Sequence, residues 1–203
     1  MRDTVKGVRS ITFFYALFLL CSMIGWVAEM LYYIVIGSGV LDRGFLSLPL
    51  CPVYGLSCVV TYLCFGLPQR PRFFALSLPL TAGRFAAFGR SAYYFVVGAL
   101  CATFFELASG VFMHRFLGVR LWDYSNLRLH VFGYISFAFA VMFGALMLFF
   151  MRFCFPLLLR RIAKIPHASL CAALVPMTVL LLFDIALNCT YSYTTHTHLA
   201  LWT

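Results

Sequence analysis

Charge is scarce in this chain, and negative charge is scarcest: of 203 residues, 10% are Asp, Glu, Lys or Arg, and only six are acidic. A water-soluble domain carries about 25% charged residues, so a soluble globular fold is excluded. The sequence has no internal repeat, no low-complexity tract and no linker that would divide it, which makes residues 1–203 a single domain. It lacks Gly-x-x-x-x-Gly-Lys-Ser/Thr, His-Glu-x-x-His and Gly-x-Ser-x-Gly, and with them the usual marks of a phosphate loop, a zinc protease or a serine hydrolase. Eight Cys are present, none paired as Cys-x-x-Cys, and His196 with His198 makes too small a ligand set for a metal. No catalytic residue, metal or cofactor is therefore expected, and an enzyme is not indicated.

Apolar residues fill the space that charge leaves. They make up 64% of the chain, and the mean hydropathy is +0.97. Runs that approach the roughly 20 residues needed to cross a bilayer recur without the alternation of a barrel, so the fold class is all-α: a polytopic transmembrane helical bundle. Spans are expected over about 11–36, 52–67, 92–113, 131–159 and 168–191. The first is too long for the apolar core of a signal peptide and reads as an uncleaved anchor. Pro156 is placed to bend or end the fourth.

Residues 73–91 are apolar but broken by Pro79, Gly83, Arg84, Gly89 and Arg90. If this stretch does not cross, eleven Lys and Arg collect on the N-terminal side of the membrane and four (Arg43, Arg115, Arg120 and Arg128) on the other. If it does cross, Arg160, Arg161 and Lys164 are forced outside, against the positive-inside rule. It is therefore expected as an interfacial or re-entrant segment, with the N-terminus cytoplasmic. The net charge of +9 follows from the same loops and their contact with membrane lipids, and nucleic acid is not an indicated partner.

Chemistry concentrates in two places. The connector Asp42–Gly55 packs Arg43, Gly44, Cys51, Pro52, Tyr54 and Gly55 between two spans, and its Gly and Pro residues make it a fixed turn. The acids Glu29, Glu106 and Asp184 fall inside apolar runs, where ionisable groups are costly and face protein or water. Ser22, Trp26, Glu29 and Tyr33 share one helical face; Ala99, Ala102, Thr103, Glu106, Ser109 and Gly110 share another; Asp184, Asn188 and Tyr191 line a third. The expected site is a pocket in the outer half, lined by Glu29 and Glu106. The connector with Arg43 and Tyr54 roofs it, and the loop carrying Trp122, Asp123 and Tyr124 forms its lid. Asp184 is weighed lower, because Asn188 can satisfy it one turn away. The bland alternative makes the acids helix locks and the aromatic residues interfacial anchors.

The order Gly25-Trp26-x-x-Glu29, Arg43-Gly44-Phe45-Leu46, Cys51-Pro52-Val53-Tyr54-Gly55, Thr103-x-x-Glu106 and Trp122-Asp123-Tyr124-Ser125 resembles the CmpB-like family of ABC-transporter permeases over about residues 13–145. Leu48, Leu107, His130 and Phe143 depart from the family pattern. The resemblance implies a permease of the bacterial cytoplasmic (inner) membrane. Any ATP hydrolysis would belong to a separate ATPase subunit. A homo-oligomer is a further expected partner state. Two other readings compete: a membrane enzyme acting on lipid or lipid-linked substrates, and a non-catalytic assembly or sensor subunit.

Overall fold

The computed structural model describes residues 2–37, 45–78, 85–197 and 199, with no account of side chains for 2–9 and 77. Helices dominate, because a chain this apolar satisfies its backbone in lipid only within helices or closed sheets. They are α1 (Arg2–Val35), α2 (Pro52–Phe65), α3 (Ala86–Phe112), α4 (Phe137–Phe149), α5 (Phe155–Ile162) and α6 (His167–Thr195). Short strands are inserted between them: β1 (Gly66–Leu67), β2 (Arg70–Phe73), β3 (Leu76–Ser77), β4 (His130–Val131) and β5 (Ile135–Ser136). Among the described residues, four helical stretches are long and apolar enough to cross a membrane: Ser10–Val35, Ala86–Leu117, Phe137–Ile162 and His167–Thr195. The second expected span is instead the 14-residue α2, about 21 Å long at 1.5 Å per residue.

The chain forms two compact units, one of Met1–Gly55, Gly110–Leu121 and Arg161–Thr203, the other of Leu56–Ser109 and Trp122–Arg160.

In the first unit α1 and α6 pack side by side and run in the same direction. Thr12, near the start of the spanning part of α1, lies 3.4 Å from His167 at the start of α6, Tyr15 Oη is 3.0 Å from Thr178 Oγ1, and Leu19 shares a core with Leu181. That core also buries Leu46 and Leu50 of the connector, which thus folds in between the helices. Irregular backbone at such depth is tolerated where protein covers it.

In the second unit α3 and α4 cross where both are narrow. A β-carbon on Gly144 would come within 2.9 Å of the Ala99 methyl, and one on Gly98 within 2.9 Å of Met147. Residues 66–77 form an antiparallel three-stranded meander, pairing Leu67 with Arg70 and Phe73 with Leu76. The meander closes the end of α2: Arg72 donates to the carbonyls of Tyr62 and Leu63 at 3.1 and 2.7 Å, and Tyr94 Oη donates to the carbonyl of Gly66 at 2.8 Å.

Residues 73–91 are thus not one element. Phe73 ends β2, Leu76–Ser77 form β3, residues 79–84 lie outside the described residues, and α3 begins at Ala86, six residues before Ala92. Gly89 is taken into its first turns, where its N–H donates to the carbonyl of Phe85 at 2.9 Å. The fourth expected span likewise divides. Residues 130–136 form a β-hairpin, and α4 passes into α5 through a wider π-helical turn, Phe150–Cys154. Pro156 explains that turn: its ring excludes the carbonyl four residues back, that of Arg152, from normal helix geometry. The displaced carbonyl instead accepts from Gln69 Nε2 at 2.8 Å.

Candidate functional site

In the first unit the functional candidates gather at the N-terminus of α2. The Cys51 N–H donates to the carbonyl of Ser22 at 3.1 Å, and Ser22 stands near the middle of the spanning part of α1. The connector therefore descends about half the length of that helix before α2 begins. Cys51 acts as the N-cap, its sulfur accepting from the Val53 N–H, and Pro52 occupies the first helical position, where a missing N–H costs nothing. The first turn of α2 lies in close contact with α1. The Tyr54 side chain sits over Gly25, where a β-carbon would meet it at 2.5 Å, and Gly55 lies against the Phe18 carbonyl and the Ser22 hydroxyl. Only glycine permits either approach.

Glu29 joins this constellation by accepting a hydrogen bond from the Cys51 thiol. Burial first, and then the Glu29 carboxylate, push the Cys51 thiol well above its ordinary pKa. Such a thiol stays protonated and is a poor nucleophile. Glu29, Trp26 and Tyr54 are half-buried, whereas Ser22 is fully buried. Arg43 and Gly44, both assigned to this site from sequence, lie outside the described residues.

Asp184 carries more of the local structure than the sequence indicated. Its carboxylate accepts from the backbone N–H of Ser47 at 3.2 Å and of Leu48 at 3.1 Å, one on each oxygen. Asn188 Nδ2 donates to the same carboxylate at 2.9 Å and reaches Ser47 Oγ at 3.2 Å. The buried polar face of α6 continues to Ser192, while Tyr191 turns outward at 37% exposure. Proximity to Asn188 was the visible signal; the connector amides were not.

In the second unit Glu106 is 8% exposed, and the Tyr124 hydroxyl donates to its Oε1 at 2.8 Å. The loop builds that contact in steps. Trp122 Nε1 donates to the carbonyl of Tyr134, fixing the loop to the hairpin, and Asp123 Oδ1 accepts from the Ser125 N–H at 2.8 Å in a tight Asx turn. The turn directs Tyr124 inward, where its ring stacks on Phe139 with centroids 4.7 Å apart. Asp123 itself is exposed. The Trp-Asp-Tyr-Ser motif is thus a device that presents one phenol to one buried carboxylate. Glu29 and Glu106 belong to different units, each with its own partner.

Among the described residues no group of three or more His, Cys, Asp or Glu is placed to hold a metal ion. No curated protein and no solved structure matches the chain. A family model described as "Putative ABC-transporter type IV" matches residues 16–189. The match extends well past residue 145 and takes in the Asp184–Asn188 face of α6, which the resemblance read from sequence had left out. With the match covering most of its length, the chain belongs to the CmpB-like family of ABC-transporter type IV membrane proteins.

Proposed function

We propose that this chain is a permease-like membrane subunit that recognises a small molecule or lipid headgroup through a carboxyl group, with Glu29 the candidate in the first unit and Glu106 a separate candidate in the second. The observation that carries the reading is the half-length helix α2, which begins beside the middle of α1 with Glu29 and Cys51 at its N-terminus. Discontinuous helices of this kind are how transporters bring polar groups to mid-membrane depth. The family supports a transport role. On this reading a separate ATPase subunit supplies the energy, and the chain sits in the bacterial cytoplasmic membrane with its N-terminus inside, as charge distribution favours. Arg43 positions the connector or meets an anionic group, and Trp122 with Asp123 holds the lid. The raised Cys51 thiol weighs against an enzyme using that residue as nucleophile.

The experiment is uptake or binding by Glu29→Gln and Glu106→Gln variants across pH, in folded and well-expressed protein. Loss in at least one variant, with a changed pH profile, supports the proposal; unchanged activity in both removes it. Purification in mild detergent tests the partner: a stoichiometric ATPase is expected, and its absence beside a retained lipid or metabolite would point to a standalone carrier.

A further inference from the structure

We infer that Asp184 is the positioning residue of the connector, setting the register in which Cys51 meets Glu29. The inference rests on the permease reading only for its functional meaning; its geometry stands apart. Between Phe45 and Cys51 the connector has no regular secondary structure and buries Leu46 and Leu50, so its amide groups have no helix or sheet to satisfy them. Two consecutive amides, Ser47 and Leu48, go to the two oxygens of Asp184, and a third, that of Cys51, goes to the Ser22 carbonyl. The connector is therefore pinned at one end to α6 and at the other to α1.

Each pin has a distinct character. The Ser22 carbonyl also belongs to the helix ladder and offers only a shared lone pair, whereas Asp184 is acceptor-only and meets three donors at 2.9 to 3.2 Å. Leu46 and Leu50, 3% and 2% exposed, flank the pinned amides and hold the loop by packing, while the two bonds to Asp184 fix the backbone between them. Asn188 fixes the rotamer of Asp184 from one turn away and touches Ser47 as well. The chain segment that carries Cys51 to Glu29 is thus aligned by a residue that approaches neither of them. The two connector amides account for an acid on the buried polar face of α6.

Thiol alkylation resolved by peptide mass spectrometry tests this directly in the full-length protein. Cys51 is half-buried and hydrogen-bonded, whereas Cys21 and Cys58 are 2% and 8% exposed and report on the bundle itself. In Asp184→Ala, N-ethylmaleimide should modify Cys51 at least tenfold faster, with Cys21 and Cys58 still protected. Asp184→Asn, which keeps the shape but meets one amide with a donor, should fall between, and Asn188→Ala should have the smaller effect. If Asp184→Ala exposes all three cysteines, the Asp184→Asn pattern decides. Cys51 reactivity equal to wild type in Asp184→Asn, or in a folded Asp184→Ala, overturns the inference. The readout needs no substrate, so failure of the permease reading would leave it unchanged.

Discussion

The backbone N–H of Cys51 lies 3.1 Å from the carbonyl of Ser22, so α2 begins beside the middle of α1 and not at its end. The first turn of α2 packs closely against α1 there. Gly55 faces the Phe18 carbonyl and the Ser22 hydroxyl with no space for a side chain. Gly55→Ala should destabilise the protein by about 1 to 3 kcal/mol through overpacking, read as an earlier unfolding midpoint in detergent. Adding Ser22→Ala should not restore it, because the backbone carbonyl remains.

The Cys51 thiol should react with iodoacetamide only at pH values above those that activate an ordinary thiol. Burial is the larger cause and Glu29 the second. The sign of the Glu29 effect is fixed: a carboxylate beside the sulfur disfavours thiolate, so its removal favours thiolate. Glu29→Gln should move the pH–rate profile of Cys51 to lower pH, yet leave it above the usual thiol range because burial persists. A profile that stays in place would mean that Glu29 does not face the sulfur.

The helical class was legible because composition leaves no alternative, and the acids stood out because apolar runs make any charge conspicuous. What escaped was where the chain reverses. Residues 131–136 are apolar enough to read as the start of a span, but Gly133 and the left-handed Phe132 turn them into a hairpin. Pro156 was visible as a bend, while the capture of the Arg152 carbonyl by Gln69, 83 residues away, has no periodic signature. Asp184 was undervalued for the same reason. Its partners are backbone amides 136 and 137 residues distant, and amides leave no trace in side-chain identity.

Arg72 closes α2 by donating to two of its last carbonyls, Tyr62 and Leu63, while its own carbonyl accepts from the Tyr93 hydroxyl at 2.9 Å. Both donated bonds leave one terminal nitrogen, Nη2, whose two hydrogens are fixed in the guanidinium plane, whereas the ammonium of a Lys is shorter in reach and free to rotate. Arg72→Ala should cost about 1 to 2 kcal/mol, reduced from a fully buried charged bond because the Leu63 contact is exposed to solvent. Arg72→Lys should recover less than half of the loss. Hydrogen exchange over Tyr62–Phe65 is the local check: faster exchange is expected there, with α6 unaffected.

The Tyr124 hydroxyl is the donor that the Trp-Asp-Tyr-Ser loop delivers to Glu106. Tyr124→Phe keeps the stack on Phe139 and removes only that bond, so the loss should be about 1 to 3 kcal/mol, the cost of uncovering a buried acceptor. Glu106→Gln should cost less, because the amide oxygen still accepts from the phenol. Once Glu106 is replaced by Ala the acceptor is gone, and adding Tyr124→Phe should then change stability little. A double-mutant cycle over Tyr124→Phe and Glu106→Ala should accordingly return a coupling above about 0.5 kcal/mol. Additive losses would mean that the loop is held by Trp122 and the hairpin alone, and that the phenol does not steady the carboxylate.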